Sequence, residues 1–149
     1  MDLTLYFAYG SNLHVDQMRA RCPTARLFAR ATLPGYQLAF RGASAYWGGA
    51  VATLGRSKTR SVPGVVYAMR SADLEDLDHF EGHPLYYERR LRTVVDEQGA
   101  RWQAHVYILP ASRAPAGLPG LKYVEVIAEA YGRHGFDLRH LKRALRRAA

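Results

Sequence analysis

Cysteine is nearly absent from this chain: Cys22 is the only one in 149 residues. No intrachain disulfide can form, which excludes the small secreted scaffolds that use crosslinks in place of a large core. Lysine is scarce too, occurring only at Lys58, Lys122 and Lys142. Lys plus Arg is 21 against 13 for Asp plus Glu, so the net charge of +8 is carried almost entirely by arginine. No apolar run approaches the roughly 20 residues that a membrane helix requires. The opening residues, Met1-Asp2-Leu3-Thr4-Leu5, have neither the basic region nor the cleavage site of a signal peptide. A cytoplasmic protein with no membrane association is the expectation.

What is present is the balance of a globular protein, with 48% hydrophobic and 23% charged residues. A chain of this size buries roughly 70% of the surface its unfolded form exposes, enough for one core without staples. A single domain over 1–149 is expected, with a basic C-terminal helix at about 137–148.

Residues 3–9 are a run of aromatic and aliphatic side chains and predict a buried first strand. Gly10-Ser11-Asn12 ends it with turn formers. Residues 14–21 predict a short helix that stops before Pro23, because the residue preceding proline disfavours the α region. Strands are predicted at 27–33 and 36–40 around a Pro34-Gly35 turn. Two more follow at 50–54, after the bend Trp47-Gly48-Gly49, and at 64–69. Residues 71–80 carry helical signals: Ser71 as N-cap, Asp73 and Glu75 at the positive end of the dipole, and Leu74, Leu77 and Phe80 as an apolar stripe. Gly82 stands where a left-handed terminator is expected.

Strands at 86–95 and 102–109 are joined by a polar turn at 96–99. A loop with Pro110, Pro115 and Pro119 leads to a helix at 122–133. Asp137 then caps a last helix with Leu138, Leu141 and Leu145 on one face. The regular strand–helix alternation of a doubly wound sheet is missing. The fold class is α+β, with a strongly curved, barrel-like sheet.

Two places have the makings of a site. Main-chain N–H groups at Gly10, Ser11 and Asn12, between a buried strand and a helix, suit a carboxylate or a developing oxyanion. Turn residues of this kind also make ordinary strand-to-helix connections. Glu81 faces the negative end of its helix dipole and aromatic neighbours, which disfavour its charged form and suit it to accept a proton near neutrality. On its own it also reads as a solvated helix-end glutamate.

Other candidates fare worse. His79, Glu81 and His83 do not match the two-histidine helical zinc spacing, and Gly82 breaks the helix between the histidines, so no metal is expected. Cys22 reads as a buried, inert thiol. Ser11 lacks the G-x-S-x-G elbow of a nucleophile. Six basic residues (Arg133, Arg139, Lys142, Arg143, Arg146 and Arg147) against Asp137 make the C-terminal segment strongly positive. No interleaved aromatics or RNA-binding signature accompany them, so a solvated helix face is expected rather than a nucleic-acid site.

Taken together, three blocks resemble the γ-glutamylcyclotransferase family. Tyr6-Phe7-Ala8-Tyr9-Gly10-Ser11-Asn12-Leu13 is similar to its N-terminal signature, and Trp47-Gly48-Gly49-Ala50-Val51-Ala52 to its second block. Leu77-Asp78-His79-Phe80-Glu81-Gly82, followed by Tyr86 or Tyr87, resembles the L-D-x-x-E-G block that carries the catalytic glutamate. The likeness runs from about residue 3 to 125 and leaves the tail beyond Tyr131 unmatched. It implies a mixed sheet curled into a barrel with flanking helices, and neither metal nor organic cofactor. It also implies substrate contacts from Tyr6, Phe7, Ala8, Tyr9, Gly10 and Ser11, with Asn12 beside them, a general acid/base at Glu81, and a pocket tyrosine at Tyr123.

The reaction so implied needs no protein nucleophile. The α-amino nitrogen of a small γ-glutamyl substrate attacks its own γ-carbonyl, closes a five-membered ring and expels the attached amine, leaving 5-oxoproline. Positioning dominates, since well-oriented intramolecular reactions reach effective molarities of about 10⁵–10⁸ M. The leaving group, the oligomeric state and the choice between carboxylate and oxyanion at Gly10–Asn12 stay open. Two other readings stand beside this one: a substrate tethered to an acidic carrier protein, which would give the positive surface a purpose, and a non-catalytic or nucleic-acid-binding domain using the basic helix.

Overall fold

The computed structural model describes residues 3–149. Five strands close into a barrel in the order β1-β3-β2-β4-β5. They are β1 (Leu3–Ala8), β2 (Arg26–Ser44), β3 (Gly49–Arg70), β4 (Glu88–Asp96) and β5 (Arg101–Ile108). All pairs are antiparallel except β1 with β5, which meet in parallel at Tyr6 and His105 and shut the barrel. The helices are α1 (Val15–Arg21), α2 (Ser71–Glu81), α3 (Leu121–His134) and α4 (Arg139–Ala148), with a short 3₁₀ turn at Ser11–Leu13.

The largest departure from the sequence expectation is the pair β2 and β3, two long continuous strands where four short ones were expected. Pro34-Gly35 is not a turn. The β2–β3 register shifts between Pro34 and Tyr36, and Gly35 takes φ 85, a conformation that a residue with a Cβ adopts only at a cost. The irregularity bends the strand without ending it, which is how a single hairpin wraps far enough to close a barrel. Further shifts at Leu27/Ala29 and Arg41/Ser44 add to the coil.

The hydrophobic core holds Phe7, Leu33, Phe40, Val62, Tyr67, Val94 and Val106, all essentially inaccessible to water. α3 adds Ile127 and Tyr131 to this core, and α4 packs Leu141 and Ala144 against it. Two expectations for α2 need correction. Arg70, not Ser71, occupies the N-cap position. Phe80 is 61% exposed and lies outside the buried stripe of Leu74 and Leu77. At α4, the Asp137 carboxylate accepts the N–H of Arg139 at 2.9 Å, while the formal cap position falls to Leu138. No helix among the described residues is long and apolar enough to cross a membrane.

Candidate active site

Glu81 is the last residue of α2, and Gly82 stops the helix there in the left-handed region at φ 68. The half-buried carboxyl therefore projects from the helix C-terminus into a cavity of about 640 Å³, shared with the end of β1 and the turn that follows it. Loss of hydration pushes its pKa up to about 7, against the opposing pull of Arg21 and of a hydrogen bond from Asn12. At that value the group is part carboxylate and part acid at neutral pH, so it can take up a proton and return it.

The opposite wall is built from β1. The chain leaves Ala8, passes Tyr9 and Gly10, and turns at Ser11–Leu13, where Leu13 and His14 give their N–H groups to the carbonyls of Gly10 and Ser11. The N–H groups of Ser11 and Asn12 precede this ladder, as the first donors of any helical turn do. Asn12 is buried, and its carboxamide is fully engaged. Nδ2 donates to Tyr6 Oη at 2.9 Å and to Glu81 Oε1 at 3.2 Å, while Oδ1 accepts from Gln17 Nε2 at 3.2 Å and Arg21 Nη1 at 3.0 Å. Tyr67 holds the Asn12 carbonyl at 2.8 Å, fixing its backbone as well.

A ring of buried phenols completes the cavity. The free main-chain groups of Ala52 on β3 are both answered by tyrosines: its N–H donates to Tyr123 Oη at 2.8 Å, and its carbonyl accepts from Tyr87 Oη at 2.6 Å. Tyr9 donates to the Tyr107 carbonyl, and the Tyr107 ring meets the Tyr6 ring edge-on at 5.6 Å. Burial raises the pKa of Tyr6, Tyr9, Tyr87 and Tyr123, so each stays a hydroxyl. Tyr107 also donates to Asp78 Oδ1 at 2.6 Å, and Arg89 grips the same carboxylate with two bonds of 2.9 and 3.1 Å. One turn before Glu81, α2 is thereby tied to β4 and β5.

The outer lip is the β2–β3 turn, where Trp47 packs on Tyr123 with ring centres 4.9 Å apart. Two glycines allow this approach. A Cβ on Gly49 would sit 2.7 Å from Gly120 N, and one on Gly120 would sit 2.6 Å from Trp47 O.

Of the expected site residues, Tyr6, Tyr9, Gly10, Ser11, Asn12, Glu81 and Tyr123 all line this one cavity. Phe7 and Ala8 do not. Both are fully buried in the barrel core, as befits consecutive positions of a strand enclosed on both faces. Arg21, Trp47, Tyr87 and Tyr107, none of them an expected site residue, also face the cavity. Trp47 and Tyr87 lie in or beside quoted blocks, whereas nothing local marks Arg21 or Tyr107.

The remaining candidates are placed elsewhere or occupied. Cys22 is buried, hydrogen-bonded to the Asp73 carbonyl, with its thiol pushed up to about 12. His83 accepts the Arg89 N–H at 3.0 Å. Ser11 Oγ accepts from Gln17 at 3.0 Å.

This arrangement has counterparts among known proteins. The profile of the family described as "Gamma-glutamyl cyclotransferase, AIG2-like" matches residues 6–125. The γ-glutamylcyclotransferase of Homo sapiens is 30% identical over 142 residues, covering 91% of this chain and 74% of that protein. The bovine γ-glutamylcyclotransferase is 30% identical over 145 residues, covering 93% and 76%. A solved γ-glutamyl cyclotransferase structure superposes with a TM-score of 0.87 at 28% identity, over 95% of this chain and 86% of that one. The barrel, the ordered sequence blocks and these likenesses agree, and the chain belongs to the γ-glutamylcyclotransferase family.

Proposed function

We propose that this cavity holds a small γ-glutamyl compound and that Glu81 moves the proton as the compound cyclises. The chain is an enzyme of the γ-glutamylcyclotransferase type, and the proposal concerns which of its residues carry the reaction. The Glu81 carboxylate takes a proton from the substrate's α-ammonium. The freed nitrogen attacks the γ-carbonyl carbon, the bond to the departing nitrogen breaks, and the proton passes to that nitrogen as it leaves. 5-Oxoproline and an amine or amino acid are the products.

In this reading the N–H groups of Gly10, Ser11 and Asn12 hold negative charge on the substrate. Tyr6, Tyr9 and Tyr123 fix the shape in which the glutamyl chain folds back on itself. The buried thiol of Cys22 fits a reducing, cytoplasmic setting. The observation that carries the proposal is the 3.2 Å contact between Glu81 and Asn12. It puts a carboxyl whose pKa is raised to about 7 beside the first N–H groups of the 3₁₀ turn.

The test is release of 5-oxoproline from a panel of γ-glutamyl amino acids and amines, followed by mass spectrometry. Glu81→Gln preserves size and hydrogen bonding but removes the base, and lowers turnover by about 10²–10⁴-fold. Near wild-type turnover in that variant removes Glu81 from the mechanism.

A further inference from the structure

The turn that brings Asn12 to Glu81 is only three residues long, Ser11–Leu13. One helical turn fixes several backbone dihedrals for a single hydrogen bond, so a piece this short does not hold its own shape. Its next two carbonyls are held from distant parts of the chain. That of Asn12 accepts from Tyr67 Oη on β3 at 2.8 Å. That of Leu13 meets His134 Nε2 on the last turn of α3, also at 2.8 Å and 121 residues away. A carbonyl only accepts, so Nε2 carries the hydrogen, and it keeps that hydrogen when the imidazole is protonated. Leu13 is fully buried, and its carbonyl has no recourse to bulk water.

His134 is itself braced. Its ring stacks on Phe136 with centres 5.5 Å apart and planes 28° from parallel. Its own carbonyl accepts from Arg30 Nη1 at 2.6 Å, and Arg30 grips Glu97, just beyond β4, with two bonds of 3.2 and 2.9 Å. Gly135 ends α3 directly after it, at φ 77. His134 is not on the cavity wall, so it cannot touch a substrate there. It reaches the chemistry only through the backbone of Leu13, the neighbour of Asn12. Without the imidazole a buried carbonyl is stranded, at a cost that favours a rearranged turn.

From this we propose that His134 is a positioning residue: through the Leu13 carbonyl it holds the turn in the conformation that keeps the Asn12 carboxamide on Glu81. Its effect on turnover rests on the reaction proposed above, whereas its effect on Asn12 does not.

His134→Leu removes the donor, and His134→Gln keeps an N–H on a side chain of similar reach. Leu141→Ala, in the packed face of α4, weakens the fold away from the turn. His134→Leu lowers kcat/KM for a γ-glutamyl amino acid by about 10- to 100-fold, the cost of a small misplacement. Most of the loss falls on kcat, since the phenols that shape the cavity stay in place. The hydrogen bond from Asn12 favours the ionised form of Glu81, so its loss moves the midpoint of the pH–rate profile upward. Arg21 and the phenols of Tyr6, Tyr9, Tyr87, Tyr107 and Tyr123, which also face Glu81, are the same in every variant. His134→Gln restores rate and midpoint, and Leu141→Ala changes neither.

The midpoint is also read without turnover, by ¹³C NMR titration of the glutamate carboxyls, with the Glu81 signal identified by its absence from Glu81→Gln protein. An unchanged Glu81 titration in His134→Leu overturns the proposal, as does a matching change in Leu141→Ala, which would leave His134 a support of the fold alone. If His134→Leu does not fold, Phe136→Leu withdraws the stacking partner and leaves the donor. A smaller upward move is then expected, and no move overturns the proposal equally. Failure of the wild type to release 5-oxoproline counts against the reaction, while the titration still decides the role of His134.

Discussion

Glu81 and Arg21 face one cavity without forming an ion pair, because the carboxamide of Asn12 stands between them. Its nitrogen lies 3.2 Å from Glu81 and its oxygen 3.0 Å from Arg21. Direct contact with a guanidinium would hold the carboxyl in the ordinary acidic range, where it makes a poor base. The interposed amide lets burial win.

The consequence for activity is a rising dependence on pH. In the proposed reaction Glu81 works as a base only when ionised, and burial raises its pKa to about 7. kcat/KM for a γ-glutamyl amino acid therefore climbs through pH 7 with a midpoint near that value. Initial rates between pH 5 and 9 measure it. A midpoint near 4.5 would mean that the carboxyl is well hydrated and that its acidity is unshifted.

Stability moves the other way. The carboxyl titrates near 4.5 when unfolded and about 7 when folded, so its contribution is complete below pH 4.5 and is lost as the pH rises through 7. The loss amounts to about 3 kcal/mol. Gln at this position does not titrate. Relative to the parent, Glu81→Gln accordingly gains about that much between pH 4.5 and pH 8 in urea unfolding, and equal differences at both pH values would contradict the shift.

Two tyrosines of α3 respond oppositely to loss of the hydroxyl. Tyr123→Phe strands the Ala52 N–H that Tyr123 accepts at 2.8 Å and costs about 1–3 kcal/mol. Tyr131 is fully buried, and among the described residues its hydroxyl is the one buried side-chain polar atom without a partner. Tyr131→Phe removes a desolvated group that earns nothing and raises stability by about 1 kcal/mol. Thermal or urea unfolding of both variants checks the opposite signs.

Gly120→Ala tests the outer lip. The added methyl would lie 2.6 Å from Trp47 O, so the β2–β3 turn and the start of α3 must separate. KM rises and stability falls by about 1–3 kcal/mol, the usual range for overpacking. Substrate titration and urea unfolding report the two effects, and an unchanged KM would show that the lip does not shape the cavity.

Much of the site was legible because its parts are local. A strand leading into Gly10-Ser11-Asn12, and a helix ended by Gly82 just after Glu81, are properties of short segments. The barrel's long strands were not legible in that way. Pro34-Gly35 carries the composition of a turn, yet β3 alongside it holds the chain extended and turns the irregularity into a bend. Phe7 and Ala8 share the segment Tyr6–Leu13 with residues of the cavity wall, but enclosure of β1 commits them to the core. Arg21 and Tyr107 reach the cavity only through tertiary packing, Tyr107 from a strand far along the chain from Tyr6.

The parallel meeting of Tyr6 with His105 gives this protein a seam, and the chamber holding Glu81 lies along it. Tyr107 follows its neighbour Tyr6 by 101 residues, so the chamber is incomplete until that whole stretch has been made. Contacts so distant in sequence form slowly, and the ability to turn over substrate is acquired late, when the two edges of the sheet find each other.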